Sequence, residues 1–133
     1  MIYLASPYSH ADASVRERRF DAACMATAEL MRTGKSVFSP IVHSQPLVRY
    51  GLPTEWEFWE SHDCEHLRRS DSLVVLTLDG WETSRGVQAE IRMAGDLEMP
   101  IHYRSLVMLT SCGKIPVILE ERQAMESGRM LGT

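Results

Sequence analysis

One segment of the chain, residues 79–90, combines a possible anion-binding turn with a carboxylate. It reads DGWETSRGVQAE and follows the most apolar run of the sequence. A helix that begins near Ser84 would point the free backbone N–H groups of Ser84, Arg85 and Gly86 at a bound phosphate. Glu90 lies four residues beyond Gly86, one helical turn deeper and about 5–6 Å along the axis. The alternative is structural: Ser84 caps the helix, Gly86 allows close packing and Glu90 faces solvent.

A second carboxylate, Asp63, lies in a stretch with two histidines, His62 and His66. Asp63 and His66 are three residues apart and would share one face of a helix. One interpretation is an acid–base group at a cleft, and the other is a solvated polar helix face. No third ligand has the spacing that a metal site needs, so we expect no metal here.

Three further groups could bear on the site, and the first two have two interpretations each. His43 follows a predicted strand and either contacts a ligand or caps its own loop. Trp56 and Trp59 either pack in the core or form a platform for a stacked base. The basic cluster on the first predicted helix is interpreted as a solvated helix face. Its members are Arg16, Arg18 and Arg19.

Apolar runs and helix-forming stretches alternate along the chain. The predicted strands are residues 2–5, 36–39, 72–78 and 100–103, and the predicted helices are residues 12–33, 54–69 and 84–97. This alternation is typical of a parallel sheet that is covered by helices on both faces. The expected fold class is therefore α/β, a flavodoxin/Rossmann-like three-layer sandwich with a mainly parallel sheet of about 4–5 strands.

In such sheets, ligands bind beyond the carboxyl ends of the strands. The loops at that edge are residues 6–11, 39–53 and 79–86, and the last of these includes Asp79 and Gly80. Residues 40–53 are predicted to be an irregular loop because they contain several helix-breaking residues. These are Pro40, Pro46, Gly51 and Pro53. Thr54 and Glu57 then fit a capping box at the start of the next helix.

The composition is that of an ordinary globular domain. The 133 residues include 44% hydrophobic and 24% charged residues, with a formal net charge of −4. This acid excess argues against coating a nucleic-acid polymer. Three widely spaced cysteines favour reduced thiols, and no segment has the features of a signal peptide or a membrane span. We expect a soluble, cytoplasmic protein.

Six ordered segments resemble the nucleoside 2-deoxyribosyltransferase superfamily, and most closely a small bacterial and phage family of uncharacterised domains within it. They are IYLASPYS, GKSVFSPIVHS, PTEWEFWESHD, SDSLVVLTLDGW, SRGVQAE and the stretch at residues 94–100. The resemblance predicts a domain at residues 1–104 and a C-terminal extension at residues 105–133. In the extension, residues 106–109 and 115–119 could be strands, and residues 120–130 are weakly helical in pattern.

The resemblance implies roles for three residues. Glu90 matches the glutamate that attacks the anomeric carbon and forms a glycosyl–enzyme ester. Tyr3 matches the first-strand tyrosine that orients this glutamate. Asp63 matches the aspartate that helps to protonate the leaving base. Members of the superfamily also assemble as oligomers, so we expect a homo-oligomer, a dimer or a tetramer, with the apolar tail as a candidate interface.

One position bears on the substrate. Ser84 stands where the resemblance places serine in hydrolases of nucleoside 5′-monophosphates and an acid in transferases of free nucleosides. A hydroxyl at a helix N-terminus donates to a phosphate, whereas a carboxylate repels it. The first loop departs from the glycine-rich loop of those hydrolases, because Tyr8 and Ser9 offer hydroxyls and His10 an imidazole.

The sequence thus predicts a cofactor-free enzyme that cleaves the base from a (deoxy)nucleoside 5′-monophosphate. Two alternatives stay open. The same nucleophile could exchange bases between deoxynucleosides, or the domain could bind nucleotides without catalysis, as a sensor module.

Overall fold

The computed structural model describes residues 1–108 and 117–122 of the chain. Strands and helices alternate through most of this length, with one 3-10 turn at Trp81–Thr83. The strands are β1 (Ile2–Ala5), β2 (Val37–Phe38), β3 (Ser72–Leu76), β4 (Ile101–Met108) and β5 (Val117–Arg122). The helices are α1 (Ala13–Met31), α2 (Pro40–Val48), α3 (Trp56–Arg68) and α4 (Arg85–Asp96).

The strands form one sheet of five in the order β2-β1-β3-β4-β5. The first three pairings are parallel, and only β5 runs antiparallel to its neighbour β4. The chain moves from β1 to β2 on one side and then returns to place β3 on the other side of β1. A crevice at the carboxyl ends of β1 and β3 is the usual ligand position in a sheet with this strand order.

Side chains that alternate along β1 and β3 form two cores, one on each face of the sheet. Tyr3 and Val75 pack against the α3 and α4 side, together with Leu67 and Val87. Leu4, Val74 and Leu76 instead pack with α1, where Ala26 and Leu30 meet them. The near-continuous apolar sequence of β3 follows from burial on both faces. The predicted three-layer α/β sandwich is confirmed.

The prediction of an irregular loop at residues 40–53 is wrong for most of its length. Pro40–Val48 form the helix α2, with Pro40 in the first turn and the Ser39 hydroxyl accepting from the Val42 N–H at 3.2 Å. A proline in the first turn has no N–H that the helix would need, and its fixed φ favours helix. The same residue type that ends a helix therefore begins this one. Pro46 lies within α2, near its end.

The predicted capping box at Thr54 and Glu57 is also wrong. The helix α3 begins at Trp56, its N-cap is Glu55, and this cap makes no side-chain hydrogen bond. Thr54 instead donates from its hydroxyl to the Glu55 carboxylate at 3.3 Å. The side chain of Ser84 caps α4, as one of its two interpretations predicts, and that of Asp12 caps α1, because each accepts from a backbone N–H group in the first turn.

The strand β4 is longer than predicted and runs from Ile101 to Met108, past the predicted domain boundary at residues 104–105. Residues 106–108 of the predicted strand at 106–109 are the end of β4, and residues 117–119 of the predicted strand at 115–119 are the start of β5. Residues 109, 115 and 116 lie outside the described residues. Arg104 pairs with Glu121 across the two strands at 2.9 Å. Residues 120–122, predicted to begin a helix, belong to β5. The rest of that predicted helix lies outside the described residues, and the domain division stays a prediction.

Two further properties concern the described part of the chain. None of its helices combines the length and the apolar character needed to traverse a bilayer. Cys24 and Cys64 are free thiols, as predicted, and Cys112 lies outside the described residues.

Candidate active site

A cleft of about 900 Å³ lies at the carboxyl ends of β1 and β3, where the strand order changes direction. One wall comes from the loop after β1 and from α1, and another from α2. The opposite side is formed by the starts of α3 and α4. All three loops that the sequence places at this edge contribute lining residues.

Glu90 lies in this cleft and is 5% exposed. It shares the buried face of α4 with Val87 and Ala94, which are spaced at one helical turn. This burial excludes the solvent-facing alternative for Glu90. Tyr3, fully buried in β1, donates its hydroxyl hydrogen to the Glu90 carboxylate. The carboxylate therefore has a fixed position against the centre of the sheet.

The surroundings of Glu90 oppose its negative charge. The pKa of Glu90 is raised from 4.5 to about 8, and burial is the largest cause of the rise. The Tyr3 hydrogen bond lowers this pKa, and the charge of Asp63 raises it. The pKa of Tyr3 is well above its usual value because of burial and the neighbouring Glu90. Tyr3 is thus the hydrogen-bond donor of the pair at any ordinary pH.

Asp63 also lines the cleft, and it is 5% exposed. It lies on α3 one turn beyond the buried Trp59, which excludes the solvated-face interpretation. Its carboxylate is 3.2 Å from Nδ1 of His62, not from the ring of His66 as its spacing would favour. Burial raises the pKa of Asp63, and the contact with His62 lowers it. The cleft therefore holds two buried carboxylates whose charged forms are disfavoured.

The first turn of α4 faces the same cleft through Ser84, Arg85 and Gly86. Ser84 also caps the helix, since its hydroxyl accepts from the Val87 N–H at 3.3 Å. The Trp56 ring lies across Gly86, where an added Cβ would be 3.5 Å from it. Ser84 and Gly86 therefore have structural roles, in capping and in packing, and also lie on the cleft where a ligand could contact them. Arg85 forms an exposed ion pair with Glu57.

The structure places Arg16 and Arg19 on the cleft, where the sequence predicts a solvated face. Arg19 donates to the Ser9 carbonyl and to the Asp79 carbonyl, both at 2.8 Å, and so joins the loops that follow β1 and β3. Arg16 donates to the His10 carbonyl. Within residues 1–108 and 117–122 neither guanidinium is paired with a carboxylate. Their spacing of three on α1 is the sequence signal that points to a shared face.

The loop after β1 supplies Tyr8 and Ser9 to the cleft, as predicted, and also Ser6. Ser6 is 5% exposed, and its hydroxyl has no hydrogen-bond partner among the described residues. Sequence reasoning missed Ser6 because a serine after an apolar strand looks like a simple strand end. Gly80 lines the cleft beside Arg19.

Two residues that are predicted to bind the substrate do not line the cleft, and neither does Tyr3, which is fully buried behind Glu90. Asp79 borders a second depression of about 430 Å³ on the far side of Arg19, and it contributes to the site through its backbone carbonyl. His43 is exposed on α2, and its ring stacks on His62 at 5.2 Å instead of facing the cleft. A residue that follows a strand end can point away from the ligand side when a helix begins there.

The core interpretation is confirmed for Trp59 only, and a platform for a stacked base stays a prediction for both tryptophans. Trp59 is buried and donates from Nε1 to the Pro53 carbonyl at 2.8 Å, yet it lines the cleft, as Trp56 does. Among the described residues there is no group of three or more side chains suited to holding a metal ion.

Fold and site together define an α/β sandwich protein with a polar cleft at its switch point. The chain belongs to DUF1937, a family of domains of unknown function, whose family model matches residues 1–105. A comparison with curated proteins finds no match. The matched region contains every residue that lines the cleft.

Proposed function

We propose that the protein is an N-glycosidase that hydrolyses the base–sugar bond of a (deoxy)nucleoside 5′-monophosphate. The observation that carries the proposal is the position of Glu90, buried in the cleft against the Tyr3 hydroxyl and one turn beyond the ligand-facing start of α4. The resemblance of the six sequence segments to the nucleoside 2-deoxyribosyltransferase superfamily supports the same assignment.

In the first step, a carboxylate oxygen of Glu90 attacks C1′ of the sugar. The C1′–N bond to the base breaks, and Asp63 gives its proton to the departing base nitrogen. The raised pKa of buried Asp63 supports this role, because burial keeps a proton on its carboxyl group to a higher pH than on an exposed aspartate. Tyr3 keeps the attacking oxygens in place.

In the second step, water attacks C1′ of the glycosyl ester and releases the sugar phosphate. The proton of this water returns to Asp63, and Glu90 leaves as a carboxylate, so both groups regain their starting states. Glu90 must be ionised at the outset. The active form therefore carries one proton, on Asp63, and we expect the pH profile of kcat/KM to be bell-shaped, low where both carboxyl groups are protonated and low again where both are ionised.

The phosphate is assigned to the start of α4 and the facing wall of α1. Ser84 and Gly86 provide a helix N-terminus, and Arg16 and Arg19 provide two positive charges that have no carboxylate partner among the residues that the structure describes. A helix N-terminus and guanidinium groups both favour a dianion. The rise of about 6 Å between Gly86 and Glu90 lets one ligand contact both ends of this wall.

The direct test is incubation of the purified protein with nucleoside 5′-monophosphates, with the free base measured by chromatography. We expect release of base, and a fall of at least 1,000-fold in kcat for Glu90→Gln, because the amide cannot form the ester. Glu82→Gln is the matched control, since Glu82 is exposed on the 3-10 turn near the cleft. Full activity of Glu90→Gln would exclude the mechanism.

The same assay separates the two alternatives. Formation of a new nucleoside when a second base is added indicates base exchange. Saturable binding of nucleotides without release of any base indicates a non-catalytic binding module, and the proposed hydrolysis is then wrong.

A further inference from the structure

A cluster of aromatic rings lies behind Asp63, outside the cleft. It consists of Phe38 and three histidines, His43, His62 and His66. His62 is the member that contacts Asp63, with Nδ1 3.2 Å from Oδ1. None of the three histidines lines the cleft. A role of this cluster in the proposed reaction must therefore pass through Asp63.

The His62 ring is enclosed on several sides, which fixes the direction of Nδ1. His43 stacks parallel to it with centroids 5.2 Å apart, and the edge of Trp59 meets it at 5.9 Å and 84°. His66 lies at 4.6 Å on another side. Its own Nδ1 is 3.0 Å from the His62 carbonyl, so this imidazole is already engaged with backbone.

From this geometry we infer that His62 is a positioning residue for Asp63: its Nδ1–H donates to Oδ1 and leaves Oδ2 to deliver the proton to the departing base. The inference rests on the proposed function and deepens it. The hydrogen bond also stabilises the carboxylate that forms when the proton leaves. A buried acid without such a donor holds its proton too tightly to give it up.

Five ionisable groups lie around Asp63, and one of them is Cys64, whose thiol pKa is raised in part by the charge of Asp63. His62 and His66 come from its own helix and lower its pKa, while burial raises it. Glu90 from α4 and Tyr3 from β1 lie on the other side, and each has its own pKa raised by the charge of Asp63. Removal of the His62 donor leaves the effect of burial on the Asp63 pKa opposed by His66 alone.

The test compares His62→Ala with His62→Asn, in which the amide N–H replaces Nδ1–H at nearly the same place. The first readout is the Asp63 carboxyl pKa by carbon NMR, which needs no activity. We expect His62→Ala to shift this pKa upward and His62→Asn to return it toward the wild-type value. His66→Asn is the matched control, one turn along α3 in the same cluster: it removes no hydrogen bond to Asp63, so it should raise the Asp63 pKa less than His62→Ala does.

The second readout is the pH profile of nucleotide hydrolysis. We expect kcat to fall about tenfold in His62→Ala with little change in KM, and to recover largely in His62→Asn. An unchanged Asp63 pKa in His62→Ala, or no recovery in His62→Asn, overturns the inference even if the wild type hydrolyses nucleotides. If the pKa moves as expected and the wild type releases no base, the proposed function fails, and the role of His62 in that reaction falls with it.

Discussion

At the scale of single residues, the cleft depends on carboxylates that are held where their charge is unfavourable. Glu90 and Asp63 are each 5% exposed, and burial is the largest cause of the raised pKa of both. A group in this state lowers the stability of the fold as it ionises. Its retention is consistent with chemistry that needs a carboxylate at that place.

Glu90→Gln should therefore stabilise the protein in a pH-dependent way. The folded state holds a proton on Glu90 up to about pH 8, whereas the unfolded chain loses it near 4.5. Wild-type stability must fall as the pH rises through this window, because the unfolded state binds fewer protons. The glutamine variant lacks this loss.

We expect the stability advantage of Glu90→Gln over wild type to be larger at pH 8 than at pH 5 by about 3 kcal/mol. Urea denaturation at the two pH values measures it. Glu82→Gln, which changes an exposed carboxylate, should show no such difference. An equal advantage at both pH values would mean that Glu90 is ionised in the folded protein across this range.

At the scale of elements, the cleft is held together by an arginine that crosses between loops. Arg19 reaches from α1 to carbonyl groups in the loops after β1 and β3. It passes over Gly80, where an added Cβ would lie 2.5 Å from a guanidinium nitrogen. Gly80 also has φ +94°, which disfavours other residues. The glycine therefore serves both the turn and the position of the arginine.

Gly80→Ala and Gly34→Ala form a matched pair that separates these two roles. Gly34 has a similar φ of +90° but open space around its Cβ position. Both substitutions should cost about 1 kcal/mol of stability in urea denaturation, from backbone strain alone. Only Gly80→Ala should also raise the KM for nucleotide, by about tenfold, because Arg19 must move. Equal KM values for the two variants would contradict the bridging role.

The elements also show where sequence patterns carry information and where they do not. The strand β3 and the helix α4 follow from local pattern, because burial on two faces and the Ser84 cap leave clear signals. The helix α2 does not follow from local pattern, because a proline breaks a helix from an interior position but is favoured in the first turn, where Pro40 lies. Arg16 and Arg19 could not be assigned to the cleft from spacing, because only tertiary packing decides what an exposed-looking helix face meets. The Tyr3–Glu90 contact joins residues 87 apart and came from resemblance alone.

At the scale of the whole molecule, charge is unevenly distributed. The net charge is −4, yet Arg16 and Arg19 face the cleft without carboxylate partners within the described ranges 1–108 and 117–122. Local positive charge in a concave site attracts anions even when the protein as a whole is negative. The cleft also contains four carboxylates, those of Glu55, Glu57, Asp63 and Glu90, so the two arginines favour an anion at the α1 wall only.

Nucleotide binding should appear as thermal stabilisation. In a Glu90→Gln background, which cannot consume the ligand, a nucleoside 5′-monophosphate at about 100 times its Kd should add about 2.7 kcal/mol and raise Tm by several degrees. The free nucleoside at the same concentration should do less. Differential scanning fluorimetry measures both.

Arg16→Gln should reduce the gain from the nucleotide and leave that from the nucleoside, since it removes a charge at the phosphate end. Arg18→Gln is the control, because Arg18 is exposed on the same helix and does not line the cleft. Equal losses in the two variants would point to a general charge effect and not to a phosphate contact.

The bond between Tyr3 and Glu90 has a consequence for how the molecule acquires its activity. One partner lies in the central part of the sheet near the start of the chain and the other in α4, with α1 to α3 between them in sequence. Closing so long a loop is slow compared with forming a helix. During refolding, the helical circular dichroism signal should therefore return before base release does. The delay between the two signals measures how long the site takes to assemble.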